Sequence, residues 1–255
     1  MLQTTRHGDI LEIRLDRPPV NALNPELLSA LRDAVQSAPG EGAAGIVLAG
    51  GPNVFSGGLD VPYLMSLGQD RDAVKATWGT FFAAARALAE SPVPVAAAIG
   101  GHNPAGGCVL ALCCDYRVMA RGEYRIGLNE VQVGLAVPEG IQHLMRRVVG
   151  PYRAERLLVG GAMIESADAH ALGLVDELAD AEHVALRARA WLEDLIKLPQ
   201  RAMLATRKMA RADLVAALAD PANIGIDAFL EGWYHPETQA VLGALVARLK
   251  GGRKP

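Results

Sequence analysis

Two short apolar runs, residues 45–49 and 93–99, with a third strand pattern at residues 116–120, constrain the fold of this chain more than any other feature. The first is closed by Gly50-Gly51, and the second lies between Pro92 and Gly100-Gly101. Continuous apolar runs of this length, bounded by Gly and Pro, read as buried strands. Upstream, Leu11, Ile13 and Leu15 alternate with Glu12 and Arg14, the pattern of a half-buried strand. His7-Gly8-Asp9 is turn-like, which makes residues 2–6 its hairpin partner. Asn24 followed by Pro25 and Glu26 is a helix start, and that helix should reach about Ser37. A second helical pattern occupies residues 70–90. Strands alternating with helices predict an α/β architecture.

After about Leu195 the strand signals stop. Helical patterns then follow one another over residues 199–211, 226–233 and 237–249. The chain therefore reads as an α/β core, residues 1–195, with a C-terminal helical appendage, residues 196–255, whose end, residues 251–255, is expected to fray.

Composition excludes several classes of function. Net charge is only −3 and there is no long Lys/Arg run, so the chain is not a polyanion or nucleic-acid binder. Cys108, Cys113 and Cys114 lie too close together for a disulfide framework and match no zinc spacing. They read as small buried apolar residues, and no metal is called for. There is no signal peptide and no apolar run long enough to span a membrane, so a soluble, cytoplasmic protein is expected. Neither a Walker-type loop nor a dinucleotide fingerprint is present.

The chemistry concentrates in three segments: Phe55-Ser56-Gly57-Gly58-Leu59-Asp60, Pro104-Ala105-Gly106-Gly107-Cys108, and Ile126-Gly127-Leu128-Asn129-Glu130. Glycines let backbone approach a ligand, because no Cβ intervenes. Two peptide N–H groups aimed at one point can hold an oxyanion. A nearby Glu can move protons. A helix opening at Gly106 would add the free N–H groups and positive end of its first turn.

These segments, with Arg17-Pro18-Pro19-Val20-Asn21-Ala22-Leu23 before them and residues 167–176 after, resemble the enoyl-CoA hydratase/isomerase (crotonase) family. Within it, the likeness is to the short-chain Δ3,Δ2-enoyl-CoA isomerase type. The resemblance implies a crotonase-like spiral of repeated ββα units. It also implies C-terminal helices that pack on neighbouring subunits, in a homotrimer or dimer of trimers. The substrate would be an acyl-CoA thioester, with no further cofactor, since coenzyme A arrives as part of the substrate. The oxyanion hole would be the N–H groups of Leu59 and Gly106. Glu130, in the Gly-Leu-Asn-Glu-(x)3-Gly pattern, would be the proton shuttle. Ala22, Ser56, Gly57, Gly58, Asp60 and Gly107 would lie along the bound substrate. Lys208, Lys250 and Arg253 are candidates for the CoA phosphates.

One position departs from the hydratase pattern. Hydratases of the family carry a second glutamate where this chain has Val109. Adding water needs a held, activated water and a proton donor, whereas a 1,3 proton shift needs only one base that reaches both carbons. Val109 therefore points to an isomerase moving a 3-enoyl-CoA double bond to trans-2-enoyl-CoA, in β-oxidation of fatty acids. Glu139, in Val137-Pro138-Glu139-Gly140, is the residue that could restore a second acid, or could cap the helix that starts there. Hydration or other crotonase-type chemistry, and a non-catalytic acyl-CoA-binding protein, are the competing readings. Asp60 and Asp115 read as structural carboxylates, and His102 as lining.

Overall fold

The computed structural model describes residues 1–251, with side chains through Leu249. Residues 252–255, most of the expected tail, lie outside the described residues, as do Arg253 and the side chain of Lys250. Nine strands are described: β1 Leu2–His7, β2 Ile10–Leu15, β3 Gly45–Ala49, β4 Val95–Ile99, β5 Asn103–Pro104, β6 Tyr116–Ala120, β7 Arg125–Gly127, β8 Ile164–Glu165 and β9 Glu177–Ala179.

The larger sheet has the order β1-β2-β3-β4-β6-β9. Only the β1–β2 hairpin is antiparallel; from β2 onward each strand runs parallel to the next, with Leu48 opposite Ala97 and Ala97 opposite Arg117. Parallel strands need crossovers and have both faces covered. That is why β3 and β4 are apolar at every position and buried at every position. One face packs under the helices Pro25–Ser37 and Arg71–Glu90, through residues such as Leu27, Leu31, Phe81 and Leu88. The other face, with Val47, Ala96, Ala98 and Val118, packs against Ala188 and Leu192 of the helix Val184–Leu195.

A second, smaller layer has the order β5-β7-β8. Two isolated parallel bridges, Leu23 to Leu59 and Val54 to His102, extend the same pattern at the ends of the preceding turns of chain. Each turn thus contributes one strand to the large sheet, then a short extended piece beside the previous one, then a helix. This is the expected spiral of ββα units.

The boundaries show which local signals decided them. Asn24 accepts a hydrogen bond from Leu27 N at 3.0 Å and caps its helix. Asp70 does the same for Ala73 N, so the long helix starts at Arg71. The strand expected from residue 93 starts at Val95, because Pro94 has no N–H to give to a ladder. The helix expected from Gly106 starts one residue earlier and spans Ala105–Leu112. Helices Pro151–Val159, Ser166–Ala171 and Val184–Leu195 went unread, although Gly150-Pro151 is a start signal for the first.

The change of texture after Leu195 holds, but the helices beyond it fold onto their own chain. Ala212–Ala219 packs between Arg71–Glu90 and Glu139–Val149. Pro236–Gly251 reaches the helix Val61–Ser66 and the turn Glu130–Val133. Leu214, Leu218, Phe229, Trp233 and Leu242 join the main core. The helix Gln200–Ala210 itself has no buried residue.

The glycine pairs that close β3 and β4 have a packing reason. A methyl group on Gly50 would lie 2.3 Å from Phe55 Cα, and one on Gly101 would lie 2.0 Å from the Asn53 carbonyl carbon. The loop between β3 and Leu59 is pressed directly onto these strand ends. Gly101→Ala is expected to destabilise the chain by about 1–3 kcal/mol, the usual cost of overpacking. Urea unfolding measures this, and an unchanged midpoint would show that the loop is free to move away.

Candidate active site

The first segment is held in place before any ligand is considered. Gly57 N donates to Val20 O at 2.7 Å, Leu23 N to Gly58 O at 2.8 Å, and Asp60 N to Leu23 O at 3.0 Å. Phe55 N donates to His102 O at 2.9 Å, which ties the same segment to the strand leading into β5. Ser56 is fully buried; its hydroxyl donates to Asn21 O and accepts from Gly58 N. Gly58 sits at φ +83°, a conformation that favours glycine.

Leu59 N is passed over by this network. It donates to no described group, and neither does Gly106 N, which lies in a helical first turn without an intrahelical acceptor. The two segments lie close together at these amides. A methyl group on Gly106 would stand 3.5 Å from Leu59 N, 3.2 Å from Leu23 Cδ1 and 3.3 Å from Phe81 Cε2. A methyl group on Gly58 would stand 3.5 Å from Gly106 N. Ala105, between the strand and this helix, is at φ +46°. A left-handed alanine costs about 1–2 kcal/mol, and strain of this kind gathers where surrounding packing over-determines the backbone.

Glu130 opens a short 3-10 turn, Glu130–Val133, three residues past β7. Pairing of β5 with β7 (Pro104 opposite Gly127) carries this turn alongside the start of the Ala105–Leu112 helix. The residue as a whole is half-buried, but its Oε2 is enclosed and has no hydrogen-bond partner. Burial pushes the carboxyl up from its usual 4.5 to about 7, against a small opposing pull from its own backbone N–H. Cys108, one turn into the helix, registers the same charge. Its thiol is raised first by burial and then by the Glu130 carboxylate. All three cysteines are buried and free.

The remaining residues sort by what they touch. Asp60 is an anchor: it accepts from Tyr63 N at 3.0 Å as a helix cap and pairs with Arg17 at 2.6 Å. Arg17 also donates to Ala22 O at 2.9 Å, so the Arg17–Leu23 segment is bolted to the first loop. Val109 is fully buried in the core. Glu139 is exposed, begins its own helix, and pairs with Arg146; it makes no side-chain cap. Its reading as a second acid gains no support from that placement. His102 is exposed and accepts from Arg125 N at 3.1 Å through Nδ1, a structural role. Lys208 is exposed on the helix Gln200–Ala210.

A separate cavity of about 540 Å³ lies between the helices Val184–Leu195 and Gln200–Ala210, lined by Trp191, Leu195 and Met203 among others. Its only charged lining groups, Asp115 and Arg207, are paired with each other at 2.8 Å. It offers no unpaired charged group, whereas the cradle offers two amides and one carboxylate.

Comparison with known proteins places the chain in a family. The family model for enoyl-CoA hydratase/isomerase matches residues 5–241. Mouse mitochondrial enoyl-CoA delta isomerase 1 is 32% identical over 214 residues, 83% of this chain and 73% of that protein. Its human counterpart is 30% identical over 241 residues, 93% and 79% of the two chains. A probable enoyl-CoA hydratase, EchA17 of Mycobacterium tuberculosis, is 32% identical over 216 residues, 80% of each. The crystal structure of human mitochondrial delta3-delta2-enoyl-CoA isomerase superposes with a TM-score of 0.92 at 28% identity, covering 99% of both chains. The first two relatives are named as mitochondrial, so the expected cytoplasmic location draws no support from them. No described helix is long and apolar enough to cross a membrane.

Proposed function

This chain belongs to the enoyl-CoA hydratase/isomerase family, and on that premise we propose that it shifts the double bond of a 3-enoyl-CoA to the trans-2 position. The thioester carbonyl oxygen accepts from Leu59 N–H and Gly106 N–H. Glu130 takes a proton from C2, the negative charge moves onto that oxygen as an enolate, and the same carboxyl returns the proton at C4. Atoms balance within the substrate, and no water is consumed. Donors fixed in place before reaction are effective here, because they need not reorganise as charge develops; losing one typically costs about 3–4 kcal/mol of barrier.

One observation carries the reading. The site holds a single enclosed, unpartnered carboxylate, while Val109 fills the hydratase acid position with a buried methyl-bearing side chain. A base raised to about 7 is close to the optimum for both taking and returning a proton near neutral pH. The relatives named as hydratases keep water addition as the alternative.

The deciding assay uses 3-hexenoyl-CoA and 2-hexenoyl-CoA side by side. The 3-enoyl ester should convert to 2-enoyl product, with hydration of the 2-enoyl ester slower by at least about a hundredfold, the range expected for one missing acid–base group. Ready hydration of the 2-enoyl ester would overturn the isomerase reading.

A further inference from the structure

Asn103 is the last residue before the second cradle segment, and its side chain has no evident structural reason to be polar. The residue is fully buried, and both its Oδ1 and its Nδ2 lack a hydrogen-bond partner. A buried carboxamide with neither end satisfied weakens a fold, and an apolar side chain of the same shape would serve packing better. Such a group calls for a function.

Its position supplies one. A methyl group on Gly107 would lie 2.2 Å from Asn103 Oδ1, 2.9 Å from Ser56 Cβ and 3.1 Å from Ser56 O. The carboxamide therefore stands against Gly107 with the Ser56 carbonyl close by, where the first loop meets the helix N-terminus. Its backbone pairs with Ile126 on the strand that leads to Glu130. Asn103 thus touches or adjoins all three segments of the cradle. Ser56 O accepts no described hydrogen bond.

Resting on the isomerase reading of this site, we propose that Asn103 is a positioning residue of the oxyanion hole. When a thioester is seated, its amide closes a hydrogen bond to Ser56 O and locks the Leu59 loop against the Gly106 helix start. Catalytic hydrogen bonds are often open in the free enzyme and tighten only on the substrate complex. Oδ1 is the end that lies against Gly107 in the free protein, so the carboxamide turns to present Nδ2 as donor to Ser56 O, and the bond fixes the separation of the two donating amides at the moment charge develops.

Asn103→Leu separates this role from packing, since it keeps shape and volume and removes the hydrogen bond. Wild type and variant are compared by thermal unfolding, by turnover of 3-hexenoyl-CoA, and by the ultraviolet absorption of bound 2,4-hexadienoyl-CoA. Polarisation of the thioester carbonyl moves that absorption to longer wavelength, and it does so whether or not the enzyme turns anything over. The expected result is an unchanged or higher midpoint, kcat down about tenfold or more with KM within twofold, and a smaller spectral shift. A well-folded Leu variant with wild-type kcat and the full spectral shift would overturn the proposal, because a packing role predicts that outcome. Should the Leu variant fold poorly, Asn103→Ala is read the same way. If the wild-type enzyme fails to isomerise 3-hexenoyl-CoA yet shifts the dienoyl spectrum, the isomerase reading fails, and the change in spectral shift alone decides the role of Asn103.

Discussion

Glu130→Gln is expected to reduce turnover of a 3-enoyl-CoA by about three to four orders of magnitude, with binding of the ester nearly unchanged. General acid–base catalysis is worth about 10²–10⁴, and here one group would perform both halves of the transfer. The enclosed Oε2 has no partner to share its proton, and no second described acid stands in reserve. The pH dependence follows from the raised carboxyl. The base works only when ionised, so kcat/KM of the wild type should climb through an apparent pKa of about 7 and level off above it. Stability runs the other way. The unfolded chain ionises this group from its ordinary 4.5 upward, while the folded chain holds the proton to about 7. The wild type therefore loses stability as pH rises across that window, and the Gln variant is spared this loss. Initial rates from pH 5 to 9, with unfolding midpoints at both ends, test the pair. A Gln variant with more than about a tenth of wild-type activity would remove Glu130 from the chemistry.

Asp115→Ala should cost about 3–5 kcal/mol of stability, the range for breaking a buried ion pair from one side. Asp115 receives Arg207 through Nε and Nη2, both at 2.8 Å, and lies 3.0 Å from Arg211 Nη1. It also accepts from Val95 N at 2.8 Å at the start of β4. Both guanidiniums are mostly buried, and desolvation pulls Arg211 down even with Asp115 holding it up. Without the carboxylate, two enclosed cations face each other. Arg207 also donates to Ser91 O and Arg211 to Cys113 O. One carboxylate thus fastens the helix Gln200–Ala210, and the chain that follows, to the sheet. Urea unfolding of the variant measures the loss; a change below about 1 kcal/mol would mean that the arginines find water instead.

Periodicity and turn chemistry were enough to place β2, β3, the helix Pro25–Ser37 and the long helix Arg71–Glu90, because each depends on local signals: alternation, a capping Asn or Asp, a bounding Gly or Pro. They also isolated the two glycine-rich segments, whose glycines the backbone requires at Gly58 by its φ and at Gly107 by the absence of room for a Cβ. Val109 was legible as a missing acid only through the resemblance to hydratases of the family, which carry a glutamate at that spacing from Gly106.

Other features existed only once the chain was folded. Sequence left Glu139 open, and only its ion pair with Arg146 at the surface separated it from Glu130. Asp115 read as structural, but its partners lie a hundred residues away in order of magnitude along the chain, beyond any local pattern. Arg17 stood in a resembling segment without a role, and Asn103 carried no motif signal, because what each touches lies in loops distant in sequence. Local propensity acts through neighbours along the chain, so the sequence by itself determined the elements with strong caps or clear alternation and the glycine-lined turns, but not the helices Ser166–Ala171 and Val184–Leu195. The raised pKa of Glu130, the close approach of the Leu59 and Gly106 segments, and the docking of the last helix beside the Glu130 turn arise from burial and from the stacking of one spiral turn on the next, and these only the tertiary structure decided.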